Sequence, residues 1–115
     1  LGSDHNPGTS GVGSMALVVA LAIAGMGMSV DEALRAATLG GAASLGLSDR
    51  GSVTAGWRAD LVAWDTDHEG AFAWDWGLSP RSIWLEGRIV RVPSPSHQGI
   101  PARAISVNLS VTQGW

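Results

Sequence analysis

Apolar and polar positions divide the chain into an apolar helical half and a half of short alternating segments. From His5 to Val30 there is no Asp, Glu, Lys or Arg, and Met15–Ala24 is almost entirely apolar. This predicts a helix from Ser14 to about Gly25 that is apolar all round and must be buried between layers or held in a membrane. Ser29-Val30-Asp31-Glu32 has the form of a capping box, in which Ser29 and Glu32 satisfy each other's backbone N–H. The helix it opens runs from Val30 to about Thr38, with Ala33, Leu34 and Ala37 at helical spacing. Leu39–Leu47 is rich in small residues and predicts a second short helix closed by Gly46.

After Asp49-Arg50 the period changes. Residues 59–65 predict a short strand, and Thr66–Pro80 a loop holding Phe72, Trp74 and Trp76. Residues 82–92 predict a β-hairpin whose two-residue turn is Glu86-Gly87. Helices first and antiparallel strands later suggest two structural territories with a boundary near Leu47–Gly51. Residues 104–111 alternate like a half-buried strand, although the order of 93–115 is left open. Asn108-Leu109-Ser110 matches a glycosylation acceptor, a pattern common by chance.

Composition narrows the function classes. The chain has 115 residues, a formal net charge of −3, seven Arg and no Lys, so nothing basic is offered to nucleic acid. Without Cys, disulfides and thiolate metal sites are excluded. The length is too small for a whole (β/α)₈ barrel, which takes about 250 residues. A membrane span needs ~20 mostly apolar residues, and the dense apolar run here stops at Gly25-Met26-Gly27-Met28 with an acidic flank. A buried helix is therefore the expectation. Its exposed face would be covered by missing partners or by a homo-oligomer.

The candidate chemistry lies in Leu1-Gly2-Ser3-Asp4-His5-Asn6-Pro7-Gly8-Thr9-Ser10. A small apolar start, a lone acid and a tight turn read as the end of a strand with Asp4 at its tip, where barrel enzymes carry their chemistry. Asp4 could ligate a metal or move a proton. It could equally be an Asx-turn residue before Pro-Gly. Pro7 fixes φ, and Gly8 is expected to take the positive φ of a sharp turn. This would leave the Asn6 amide and Thr9 hydroxyl either to meet a polar uncharged substrate or to satisfy the turn. The glycines of 8–14 lack the Lys of a phosphate loop. Asp65-Thr66-Asp67-His68-Glu69 reads as a solvated loop rather than a metal cluster. Trp57, Trp64 and Trp84 suit packing better than base stacking.

Gly51-Ser52-Val53, Ala55-Gly56, Ala59-Asp60-Leu61-Val62 and Trp64-Asp65 together resemble the closing signature of the amidohydrolase superfamily. Asp4-His5-Asn6-Pro7-Gly8-Thr9-Ser10, the apolar helix and Ser29–Leu34 resemble the imidazolonepropionase family within it, as does Asp65-Thr66-Asp67-His68. The resemblance covers roughly Leu1 to Val92. It departs at Trp57, where the superfamily has Lys, and at His5, where the family has an apolar residue or Cys.

The resemblance implies an α/β fold: the C-terminal part of a metal-dependent amidohydrolase (β/α)₈ barrel (1–50), then strands of a composite β-sandwich (51–92), then a tail (93–115). It implies hydrolysis of a cyclic amide C–N bond, opening 4-imidazolone-5-propionate to N-formimino-L-glutamate, in the cytoplasm. Asp4 would be the catalytic carboxylate and a ligand of Zn or Fe, whose other ligands lie upstream. Asn6 and Gly8 would hold the product side and Thr9 the imidazolone. Alone, the chain would be inactive. Another cyclic-amide hydrolase or a deaminase of the superfamily, a small membrane or interaction module, and a β-rich binding domain remain alternative readings.

Overall fold

The computed structural model describes residues 1–91 and the pair Ser106–Val107. Three helices come first: α1 (Met15–Met26), α2 (Val30–Ala37) and α3 (Leu39–Ser44). They are followed by β1 (Leu61–Trp64), α4 (Ala71–Trp74), β2 (Pro80–Leu85), β3 (Arg88–Arg91) and β4 (Ser106–Val107).

Helix α1 starts where Ser14 Oγ accepts from Leu17 N at 3.4 Å, and stops at Gly27, whose φ is 72°. Its buried positions, Ala16, Val19, Ala20 and Ala22, are mostly small. Small side chains let α1 approach α2 and α4 closely, which are its neighbours. Leu21 stays 43% exposed, so the helix is not covered on every side. No helix among the described residues is long and apolar enough to cross a membrane.

The capping box forms as the sequence indicates. Ser29 N donates to Glu32 Oε2 at 2.8 Å, and Glu32 N donates to Ser29 Oγ at 3.2 Å. Ser29 Oγ also donates to Glu32 Oε2 at 2.9 Å, and the two bonds from Ser29 to the Glu32 carboxylate, the backbone one the stronger, hold it below its ordinary pKa. Thr38 links α2 to α3, and its hydroxyl donates to the Leu34 carbonyl at 2.8 Å.

The sheet is antiparallel throughout, in the order β3-β2-β1-β4. Strand β1 is central and carries buried Val62, Ala63 and Trp64. It pairs Leu61 with Trp84 and Val62 with Ile83 on one side, and Val62 with Val107 on the other. The β2–β3 turn is Glu86-Gly87 with φ of 52° and 78°. Two positive φ values make the turn that suits hairpin twist, and Gly at the second position takes one without a Cβ clash.

One apolar cluster draws on both halves of the chain. Ala16, Val19, Ala22, Ala33 and Ala37 of α1 and α2 meet Val62, Trp64, Ala71, Phe72 and Leu78. Phe72 is fully buried, and its ring stands edge-on to Trp64 with centroids 5.1 Å apart.

The structure corrects three expectations. The Thr66–Pro80 loop contains the one-turn helix α4, which seats Phe72 in the core. Strand β1 begins at Leu61 rather than Ala59: Asp60 N donates to Arg58 O at 3.0 Å, a local turn bond that keeps this N–H out of the ladder. Residues 1–5 form no strand. A strand needs a neighbour to pair its backbone, and none of the described strands lies beside them in the sheet. Of the expected strand at 104–111, Ser106–Val107 is observed; its remainder and Asn108-Leu109-Ser110 lie outside the described residues.

Candidate functional site

The Asp4–Ser10 loop is folded around one side chain. Asn6 Oδ1 accepts from Gly8 N at 2.9 Å and from Thr9 N at 2.8 Å. Asn6 Nδ2 donates to the Asp4 carbonyl at 2.6 Å and to Thr9 Oγ1 at 3.1 Å. Asn6 N donates to Ser10 O at 2.9 Å, closing the loop as an isolated antiparallel bridge. An Asn side chain with short reach and both donor and acceptor atoms is suited to such self-contained turns.

Two further bonds fasten the loop at its base. Ser10 Oγ donates to Ser3 O at 2.9 Å, and Leu1 N donates to Ala36 O of α2 at 2.8 Å. Leu1 also packs against the core cluster. The loop therefore stands on the helical side of the protein. His5 to Gly11 line an open concavity of about 470 Å³.

The positive φ expected at Gly8 is found instead at Asp4, whose φ is 50°. Asp tolerates this left-handed region better than most side chains because its short polar group bonds locally. At Gly8 the constraint is a different one: a Cβ there would stand 3.3 Å from Asn6 Oδ1, which would have to give by a few tenths of an ångström. Asp4 is exposed, and the lining of the concavity starts one residue later, at His5. Sequence reasoning picked out Asp4, Asn6, Gly8 and Thr9, and the structure places all four in one loop. It missed Ser3 and Ser10, because isolated serines carry no spacing signal.

Catalytic zinc usually takes three protein ligands and an open position. Among the described residues no group of three or more His, Asp or Glu side chains could hold a metal ion. Asp4 offers one carboxylate, so these residues by themselves do not fit a metal. The Asp65–Glu69 segment is an exposed loop in which His68 Nδ1 accepts from Gly70 N at 2.8 Å.

A second polar cluster sits at the base of the hairpin. Asp60 is buried and bonds Arg50 Nη1 at 3.2 Å, Arg58 Nε at 2.9 Å and the Glu86 N–H at 2.9 Å. Arg58 also reaches Glu86 Oε1 at 2.9 Å. Asp49 pairs with Arg50 at 2.9 Å, which lowers the Asp49 pKa and raises that of Arg50. This cluster fastens the turn of the hairpin to the segment after α3.

The mixed helix–strand architecture and the small antiparallel sheet agree with what residues 1–90 match as a sequence: the chain belongs to the amidohydrolase family. Among curated relatives it is 38% identical over 89 residues to the imidazolonepropionase of Cereibacter sphaeroides strain KD131. It is 43% identical over 88 residues to that of Deinococcus deserti, and 44% identical over 92 residues to that of Streptomyces avermitilis. These matches cover 76%, 76% and 79% of this chain and 22% of each relative. The chain thus spans about a fifth of the length of the curated relatives it matches. No solved structure matches it.

Proposed function

We propose that this chain serves the hydrolysis of a cyclic amide C–N bond, opening 4-imidazolone-5-propionate to N-formimino-L-glutamate, as part of a protein of the relatives' length. The supporting observation is the 38–44% identity to imidazolonepropionases over a stretch that includes the Asp4–Ser10 loop. In this reading residues 1–50 complete a (β/α)₈ barrel and 51–92 supply strands of a composite sandwich. The amidohydrolase family is generally metal-dependent, and Asp4 would contribute one ligand to Zn or Fe, with the others from residues outside this chain. A small-molecule substrate and a cytoplasmic setting go with this reading.

Each named residue has a task its chemistry allows. The Asp4 carboxylate takes a proton from the attacking water and returns it to the leaving ring nitrogen, the work of a general acid–base. Gly8 leaves the loop backbone open to the product side. Asn6 Nδ2 reaches the product by exchanging its Thr9 partner, and the Thr9 hydroxyl, which also donates to Asn6 Oδ1 at 3.2 Å, turns to the imidazolone. The Asn6–Thr9 contact, at 3.1 Å, is exposed and open to exchange with a ligand.

The test supplies 4-imidazolone-5-propionate, and separately other five- and six-membered cyclic amides and amino-purines, to a protein of the relatives' length carrying this segment. Ring opening of the imidazolone in preference to the others is expected. Preference for another cyclic amide, or release of ammonia from an amino-purine, refutes the substrate assignment.

A further inference from the structure

The backbone of Asp4 is held from both sides. Its φ and ψ are the angles between the Ser3–Asp4 and Asp4–His5 peptide planes, and a side-chain bond pins each plane. Ser10 Oγ donates to Ser3 O at 2.9 Å, which fixes the first. Asn6 Nδ2 donates to Asp4 O at 2.6 Å, and His5 N donates to Ser3 Oγ at 3.3 Å, which together fix the second. Between these clamps Asp4 occupies the left-handed region at φ 50°. A non-glycine residue held there persists only where its surroundings over-determine it. Ser10 is part-buried, so its hydroxyl has less access to water as an alternative partner.

We propose that Ser10, with Asn6, is a positioning residue that locks the left-handed turn from which the Asp4 carboxylate extends. Neither side chain needs to touch the reacting atoms for this role. The proposal rests on the reading of Asp4 as the catalytic carboxylate, and it adds Ser10 to the site. A single neutral hydrogen bond contributes enough to shift such a local equilibrium by roughly 2- to 12-fold.

The test has two arms. In the first, the backbone of Asp4 in the 115-residue chain is read from its Cα and Cβ chemical shifts by NMR, for Ser10→Ala, Ser10→Thr, Asn6→Asp and Thr9→Ala. Asn6→Asp keeps the Oδ1 acceptor and removes the donor. Ser10→Ala and Asn6→Asp are expected to move Asp4 away from left-handed shifts, while Ser10→Thr and Thr9→Ala leave it in place. Unchanged Asp4 shifts in both Ser10→Ala and Asn6→Asp overturn the proposal. An unchanged Trp84 indole resonance confirms that the sheet has kept its fold. In the second arm, turnover is measured in a protein of the relatives' length. Ser10→Ala is expected to lower kcat about 2- to 12-fold with KM unchanged and Ser10→Thr to restore it. A rise in KM alone, or no recovery with Thr, overturns the positioning role. Full activity of Asp4→Asn refutes the proposed function instead, and the NMR arm is judged without it.

Discussion

Replacing Phe72 by Ala is expected to remove much of the stability of this fold. Phe72 is fully buried, lies edge-on to Trp64, and is the larger of the two residues, with Ala71, through which α4 joins the core shared by α1, α2 and the sheet. Truncating a buried Phe to Ala costs about 3–5 kcal/mol, from lost transfer energy and the cavity left behind. The surroundings of Phe72 offer little to refill it, since the helical side of the cluster is largely Ala. A value near 4 kcal/mol follows, against a total of roughly 0.05–0.15 kcal/mol per residue in small domains. With a urea dependence of about 1–3 kcal/mol/M, the midpoint falls by about 1–4 M at an unchanged slope. Phe72→Leu keeps most of the volume and costs less than about 1.5 kcal/mol. Urea unfolding followed by tryptophan fluorescence and by circular dichroism measures both. A Phe72→Ala midpoint equal to the parent's, with the Leu variant no different, shows that α4 does not seat in the core.

Two further outcomes follow from the polar contacts. Asp60→Ala takes one acceptor each from Arg50 and Arg58 and the acceptor of the Glu86 N–H, so the fold is expected to lose about 2 kcal/mol in thermal unfolding; a melting temperature equal to the parent's contradicts the role of the cluster. The Glu32 carboxyl titrates below its ordinary value because Ser29 binds its charged form. That contribution to α2 is complete above the ordinary Glu range and lost as pH falls through the lowered value. A Glu32 carboxyl ¹³C titration at the ordinary value, or one unaltered by Ser29→Ala, contradicts this.

The helical half was legible because its signals are local. Ser14, Ser29 and Glu32 cap helices through bonds made within three residues, so sequence spacing is enough to find them. The hairpin was legible for the same reason, with Glu86-Gly87 between two alternating runs. Helix α4 was not: four residues with two large aromatics carry no helical period, and only the contact with Trp64 reveals why Phe72 points inward. Asp60 looked like part of a strand because its partners Arg50 and Glu86 are distant in sequence. In the loop, Asp4, Asn6, Gly8 and Thr9 stood out by type and order. The left-handed turn could not be assigned to Asp4 rather than Gly8, because it depends on where Ser10 and Asn6 place their hydrogen bonds.

Turnover of 4-imidazolone-5-propionate by Asp4→Asn, in a protein of the relatives' length, tests the central claim most directly. Asn keeps the size of the side chain and its tolerance of the left-handed backbone, and removes the carboxylate that carries the proton and would ligate the metal. General acid–base catalysis of this kind contributes about 10²–10⁴-fold, so kcat is expected to fall by at least ~100-fold. A variant that opens the ring at the parent's rate contradicts the account.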